Sequence, residues 1–282
     1  KRPLRAPNGL RLEWVDADAP IAVPDARQSF VVSRAGDSGA WNIGRADMHY
    51  RDLIPDRFGG RFVASHIRIP QGGPVPDYVH YHNIRFQMIY CRAGWVRVVY
   101  EDQGPPFVMH AGDCVLQPPG IRHRVLESSP DLEVIELGCP ARHETCADHE
   151  MKLPTPHVLP HRRFGSQRFV RHVAADATWQ PSRRAGFEVR DTGIDGATAG
   201  LAGVRVLRRA PSSTPASGES TNEAHCGELM FLFVLRGELT VTAGRLGSHH
   251  LQADDSCVIP AGVEHALQGS PDIELLEVTL PA

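Results

Sequence analysis

The chain has little cysteine, no long apolar run and no cluster of like charge, and each shortage removes a class of protein. Six cysteines, Cys91, Cys114, Cys139, Cys146, Cys226 and Cys257, are sparse for 282 residues, and several fall inside apolar, strand-like runs. That distribution predicts reduced thiols in a cytoplasmic protein rather than a disulfide framework. No apolar run has the length of a membrane span, and the segment Lys1–Arg5 lacks the apolar stretch of a signal peptide. No membrane partner is therefore expected. The formal net charge is -3, with no run of lysine or arginine, so nothing marks a nucleic-acid partner either. A small molecule is the expected partner. No amphipathic helix longer than a few turns is evident, although Asp47 to Pro55 has room for a short one.

What is present is a globular composition, 41% hydrophobic and 22% charged, in a chain long enough for two domains with separate cores. The sequence also repeats itself. The run from Phe30 to Trp41 is echoed from Phe169 to Trp179, Arg51-Asp52 by Arg190-Asp191, and Ser129 to Leu137 by Ser270 to Val278. A nearly constant shift of about 140 residues means two copies of one domain. These are residues 1–150 and 151–282, joined through the proline-rich stretch Met151 to His161. Within each copy the apolar runs are short, β-branched or aromatic, and bounded by Gly, Pro, Asp or Ser, which predicts an all-β barrel or sandwich. The N-terminal arm of each copy is expected to pack on the partner domain or on another subunit.

One stretch carries candidate chemistry. His80 and His82 flank Tyr81 and so share one face of a strand. Gln87 follows past a bend at Asn83, and His123 follows the turn Pro118-Pro119-Gly120. Three imidazoles and an amide oxygen are borderline-to-hard ligands, suited to Fe(II), Mn(II), Ni(II) or Zn(II). Arg85 shares the parity of Gln87 and is the candidate catalytic residue, reaching inward to pair a substrate carboxylate; the competing reading is an exposed strand-edge charge. Tyr78, Phe86, Tyr90 and Trp95 could line a pocket, but aromatics in short strands are more often core. Cys91 and Cys114 are expected to pack the barrel, and Arg122 to lie outside it. Cys139, His143, Cys146 and His149 match no zinc-finger spacing and read as a linker after a strand.

These residues resemble the two motifs of the cupin superfamily. Gly73, His80, His82, Gln87 and Gly94 follow the first, and Gly112, Pro118, Gly120 and His123 follow the second. One departure is Gln87, where most cupins have Glu. The resemblance implies two tandem double-stranded β-helix (jelly-roll) barrels, a bicupin, with one divalent transition metal in the first barrel held by His80, His82, Gln87 and His123. Fe(II) is the first choice, then Mn(II), Ni(II) or Zn(II). It also implies a homodimer. An uncharged Gln87 offsets none of the metal's charge, which favours an anionic substrate, and it removes a carboxylate that could act as general base. The expected function is an Fe(II) dioxygenase of a small anionic aromatic or enolic compound. The alternatives are a redox-neutral isomerase, cyclase or lyase, or a non-catalytic small-molecule-binding bicupin.

The second copy places Glu223 at His80, His225 at His82, Met230 at Gln87 and His265 at His123. A thioether is a poor ligand for a hard cation, so a metal-free second barrel is expected, with His265 packed and Met230 filling the core.

Overall fold

The computed structural model describes residues 4–9, 11–12, 21–37, 41–44, 48–211 and 222–281. Two β-barrels form in tandem, as the short alternating runs predict. In the first, a seven-stranded sheet runs Val170–His172, Cys114–Leu116, Phe86–Ala93, Leu132–Cys139, Val63–Ile69, His49–Asp52 and Trp41–Ile43. The facing sheet runs Phe107–His110, Trp95–Tyr100, His123–Ser128, His80–His82 and Thr145–Ala147, with Gly73–Pro74 also paired to His123–Ser128. The second barrel repeats the plan, with seven strands, ending in Glu274–Leu280, Leu229–Arg236, Ser256–Val258 and Val31–Ser33, facing a three-stranded sheet.

The period-two alternation of the long strands decides what sits where. Phe86, Met88 and Tyr90 turn to a core shared with the second barrel, whereas Gln87 and Ile89 turn into the first barrel's own cavity. Likewise Ile135, Leu137 and Cys139 enter the shared core, and Leu132, Val134 and Glu136 face the cavity. The strand Leu229–Arg236 is apolar on both faces. Phe231 and Phe233 join Phe86 and Leu137 in the shared core, while Met230, Leu232 and Val234 fill the second barrel. Each such aromatic contributes about 1.5–3 kcal/mol on burial, so the interface between barrels is part of the fold itself.

The repeats also exchange a strand. Val31–Ser33 adds to the edge of the second barrel beside Ser256–Val258, and Val170–His172 adds to the first beside Cys114–Leu116. The echoed Phe30 and Phe169 runs are thus reciprocal arms, and the expected packing of each arm on the partner domain is found. Gly94 and Gly237 both sit at φ +74° where the chain reverses, and a Cβ at Gly94 would strike the Ser129 hydroxyl. That hydroxyl accepts from Trp95 N at 3.0 Å, as Ser270 Oγ accepts from Glu238 N at 2.9 Å. The space allotted to a helix over Asp47 to Pro55 holds the strand His49–Asp52 instead, because Arg51 is buried and fixed by pairing with Val63–Ile69; a tight turn follows at Arg57–Gly60. No helix among the described residues is long and apolar enough to cross a membrane.

Candidate metal centre

His80 and His123 lie directly opposite each other on neighbouring strands, and His82 projects from the same face as His80. The ring centres are 4.3 Å apart for His80 and His123, 5.2 Å for His80 and His82, and 5.3 Å for His82 and His123. Each Nδ1 is already engaged: His80 with Tyr78 O at 2.8 Å, His123 with Ile121 O at 3.0 Å, and His82 with Thr145 Oγ1 at 3.1 Å. A carbonyl only accepts, so His80 and His123 carry their proton on Nδ1 and a lone pair on Nε2. This outer hydrogen bonding fixes both tautomer and ring orientation, the usual preparation of histidine for a metal. Candidate ligand atoms of the three residues lie within 4.8 Å of one another. The donor set fits a divalent transition metal.

The three histidines open onto a cavity of about 330 Å³ whose other walls include Ile67, Ile89, Val98, Met109, Leu132 and Val134. Gln87 lines it too, but its amide oxygen accepts from Gln117 Nε2 at 3.1 Å and its Nε2 donates to Glu136 Oε1 at 2.6 Å. Gln117 Nε2 also lies 3.4 Å from His123 Nε2, and the buried Tyr100 hydroxyl donates to Gln117 Oε1 at 2.6 Å. Burial pushes the Tyr100 phenol far up, which keeps it a donor. The polar network at the cavity floor is therefore continuous from Tyr100 to Glu136.

Three of its members escaped sequence reasoning. Glu136 was legible only through parity, since it shares a face with Leu132 and Val134. The carboxylate that Gln87 removes from the motif thus returns from the adjacent strand, which corrects the expectation of a site without one. Gln117 precedes the turn of the second motif, and Tyr100 ends the strand paired with His123. A further correction concerns the supposed linker. Thr145–Ala147 pairs with His80–His82, and His143 lines the cavity with its ring 5.3 Å from His82 and Nδ1 engaged by Pro140 O at 3.0 Å.

Arg85 does not reach inward. It lies before the strand Phe86–Ala93, so strand parity does not govern it, and its guanidinium pairs Glu228 through Nη1 at 2.8 Å and Nη2 at 3.1 Å. Glu228 is the counterpart of Arg85 in the second repeat, so this ion pair ties the two barrels at equivalent points. Arg61 adds two more contacts to the same carboxylate, from Nη2 at 2.6 Å and Nε at 3.0 Å. Phe86 and Tyr90 are core, and Cys91 and Cys114 are buried, as expected. Arg122 lies outside, stacked 4.2 Å over Tyr81 and paired with Asp148 at 3.2 Å. In the second barrel Met230 packs among apolar neighbours, and His225 turns its Nε2 to Ile259 O at 2.7 Å.

A family model described as "Cupin domain" matches residues 65–137 and 213–279, one match in each barrel. A search of curated protein sequences returns no match. Among solved structures, protein YlbA from E. coli superposes with a TM-score of 0.62 at 13% identity, covering 93% of this chain and 94% of that one. Oxalate decarboxylase from Lactobacillus farciminis, a formate complex, gives 0.65 at 14%, covering 93% and 89%. The Bacillus subtilis oxalate decarboxylase with Mn(II) centres gives 0.57 at 13%, covering 83% and 73%. At such identities the likeness is one of fold.

Proposed function

From the premise that this chain belongs to the cupin family and carries two cupin domains in tandem, we propose that it is a metal-dependent enzyme whose chemistry is confined to the first barrel. His80, His82 and His123 hold the metal, with Gln87 as a fourth ligand once its oxygen is released by Gln117. The carrying observation is the convergence of three pre-oriented imidazoles on an otherwise largely apolar cavity. When bound, the metal supplies positive charge to an anionic substrate and, if it is iron, the redox capacity for O2 chemistry.

The chain's own residues do the rest. Ile67, Ile89, Val98, Leu132 and Val134 exclude water and offer van der Waals contact to a flat apolar body, which suits a small anionic aromatic or enolic substrate. Exclusion of water also strengthens each charge interaction inside. Glu136, held by Gln87, is placed to accept or return a substrate proton. Tyr100 and Gln117 keep the Gln87 amide in one orientation. On this account the protein is an Fe(II) dioxygenase, with Mn(II), Ni(II) and Zn(II) as the next candidates.

A second reading, a redox-neutral isomerase, cyclase or lyase, is favoured by Glu136, because a carboxylate within the cavity serves proton transfer that needs no O2. An oxygen electrode separates the two. Stoichiometric O2 uptake with catechols or β-diketones, absent in the His80→Ala/His82→Ala variant, fits the dioxygenase. Turnover that continues unchanged under argon overturns it in favour of the second reading.

A further inference from the structure

Tyr100 has a second set of neighbours. Its ring stacks on His123 with centres 5.5 Å apart, and it also packs on Phe107 at 5.9 Å and on Phe169 at 4.6 Å. These two phenylalanines line a cleft of about 380 Å³ together with Gln103, Pro105, Pro106, Pro160 and Arg171, and the metal cavity shares none of these residues. Three stretches distant in sequence build it. The strand Trp95–Tyr100 ends in a turn through Pro105 and Pro106, from which the edge strand Phe107–His110 returns. The linker between the barrels is pinned on that turn, where Leu159 N donates to Asp102 O at 2.7 Å and Arg162 Nη1 to Glu101 Oε1 at 2.7 Å, and so it brings Pro160 alongside. The exchanged arm supplies Phe169 and, one strand period later, Arg171, while Val170 between them turns to the shared core.

We propose that this cleft binds a small aromatic carboxylate at a site separate from the metal centre. The charge argument rests on Arg171. Its guanidinium lies 4.1 Å over the Phe107 ring and makes no hydrogen bond or ion pair to any described residue. The acids of the neighbouring turn are not available to it, because Arg162 holds both Glu101 and Asp102. Stacking engages the flat face of a guanidinium and leaves its fork of N–H donors open, which is the geometry a carboxylate matches. Gln103 adds a second unmet donor, since its Nε2 is buried with no partner. The shape argument rests on the walls. Phe169 and the rings of Pro105, Pro106 and Pro160 are flat, apolar and stiff, so a planar ligand meets a surface that loses little freedom on binding it. Tyr100, which orients Gln117 and stacks on His123, is the residue through which the cleft and the metal centre touch.

The test uses the full chain, stripped of metal by dialysis against EDTA and returned to chelator-free buffer, so that no cation in the first barrel draws the ligand there. Benzoate is titrated in and its binding followed by isothermal calorimetry, beside benzamide, which has the same ring and no charge. Benzoate should bind saturably, about one per chain, with a Kd on the order of 1 mM or below. Benzamide should bind about tenfold more weakly or not at all, and Arg171→Met, which deletes the charge and keeps an apolar stem, should weaken benzoate by about tenfold or more. If Arg171→Met does not fold, the comparison of benzoate with benzamide on the unaltered chain decides the matter alone. No saturation by about 10 mM benzoate, equal binding of the two ligands, or benzoate binding that survives Arg171→Met in a folded chain overturns the proposal.

Discussion

Gln87 Nε2 donates to Glu136 Oε1 at 2.6 Å, so an amide in the first motif and a carboxylate on the neighbouring strand form one unit at the cavity floor. The negative charge of the site has moved one hydrogen bond away from the position where the motif ordinarily carries it. On the proposed function this arrangement keeps a carboxylate available to substrate while the Gln87 side chain beside the three histidines stays neutral.

Exchanging the two groups tests that unit. Gln87→Glu alone sets two carboxylates against each other and is expected to destabilise the fold by about 1–3 kcal/mol in urea denaturation. Gln87→Glu/Glu136→Gln reverses the hydrogen bond and should restore most of the loss. Additive effects of the two substitutions would contradict the pairing.

Glu136→Gln alone keeps the hydrogen-bonding shape and removes the proton acceptor. Turnover should fall about 10²-fold with metal content unchanged. Parallel loss of metal and activity would instead make Glu136 a part of the metal's own coordination.

Tyr100→Phe removes a buried donor and leaves Gln117 Oε1 without its 2.6 Å partner. A stability loss on the order of 1 kcal/mol is expected, together with a drop in metal affinity that Gln117→Ala should match. Unchanged affinity in both variants would show that the network does not orient Gln87.

The tie between barrels carries a pH signature. Burial raises the Glu228 carboxyl, but hydrogen bonds from Arg85 and Arg61 more than offset this and hold it below the usual carboxylate value. A depressed folded-state pKa contributes stability that is present above the unfolded pKa and lost as pH falls through the folded one. The melting-temperature gap between wild type and Glu228→Gln should therefore be constant near neutrality and shrink in acid, below the ordinary glutamate range. A gap independent of pH would mean that the pair contributes through shape alone.

Much of this was legible in the sequence because it rests on local rules. The duplication, the strand parity of His80 and His82, and the turn ahead of His123 are all written in short spacings. What stayed hidden depends on which strands become neighbours. Glu136 is one of two glutamates in an otherwise apolar strand until that strand lies beside Gln87. Arg85 shares a parity with Gln87 that means nothing before the strand begins, and its real partner, Glu228, is supplied by the other repeat.

The most direct test of the central claim is element-specific metal analysis of protein purified without added metal or chelator, beside His80→Ala/His82→Ala. About one transition metal per chain in the wild type, lost in a variant that keeps its circular dichroism, is the predicted result. Equal metal in both proteins, or a wild type that stays empty after exposure to Fe(II), Mn(II), Ni(II) and Zn(II), would contradict it.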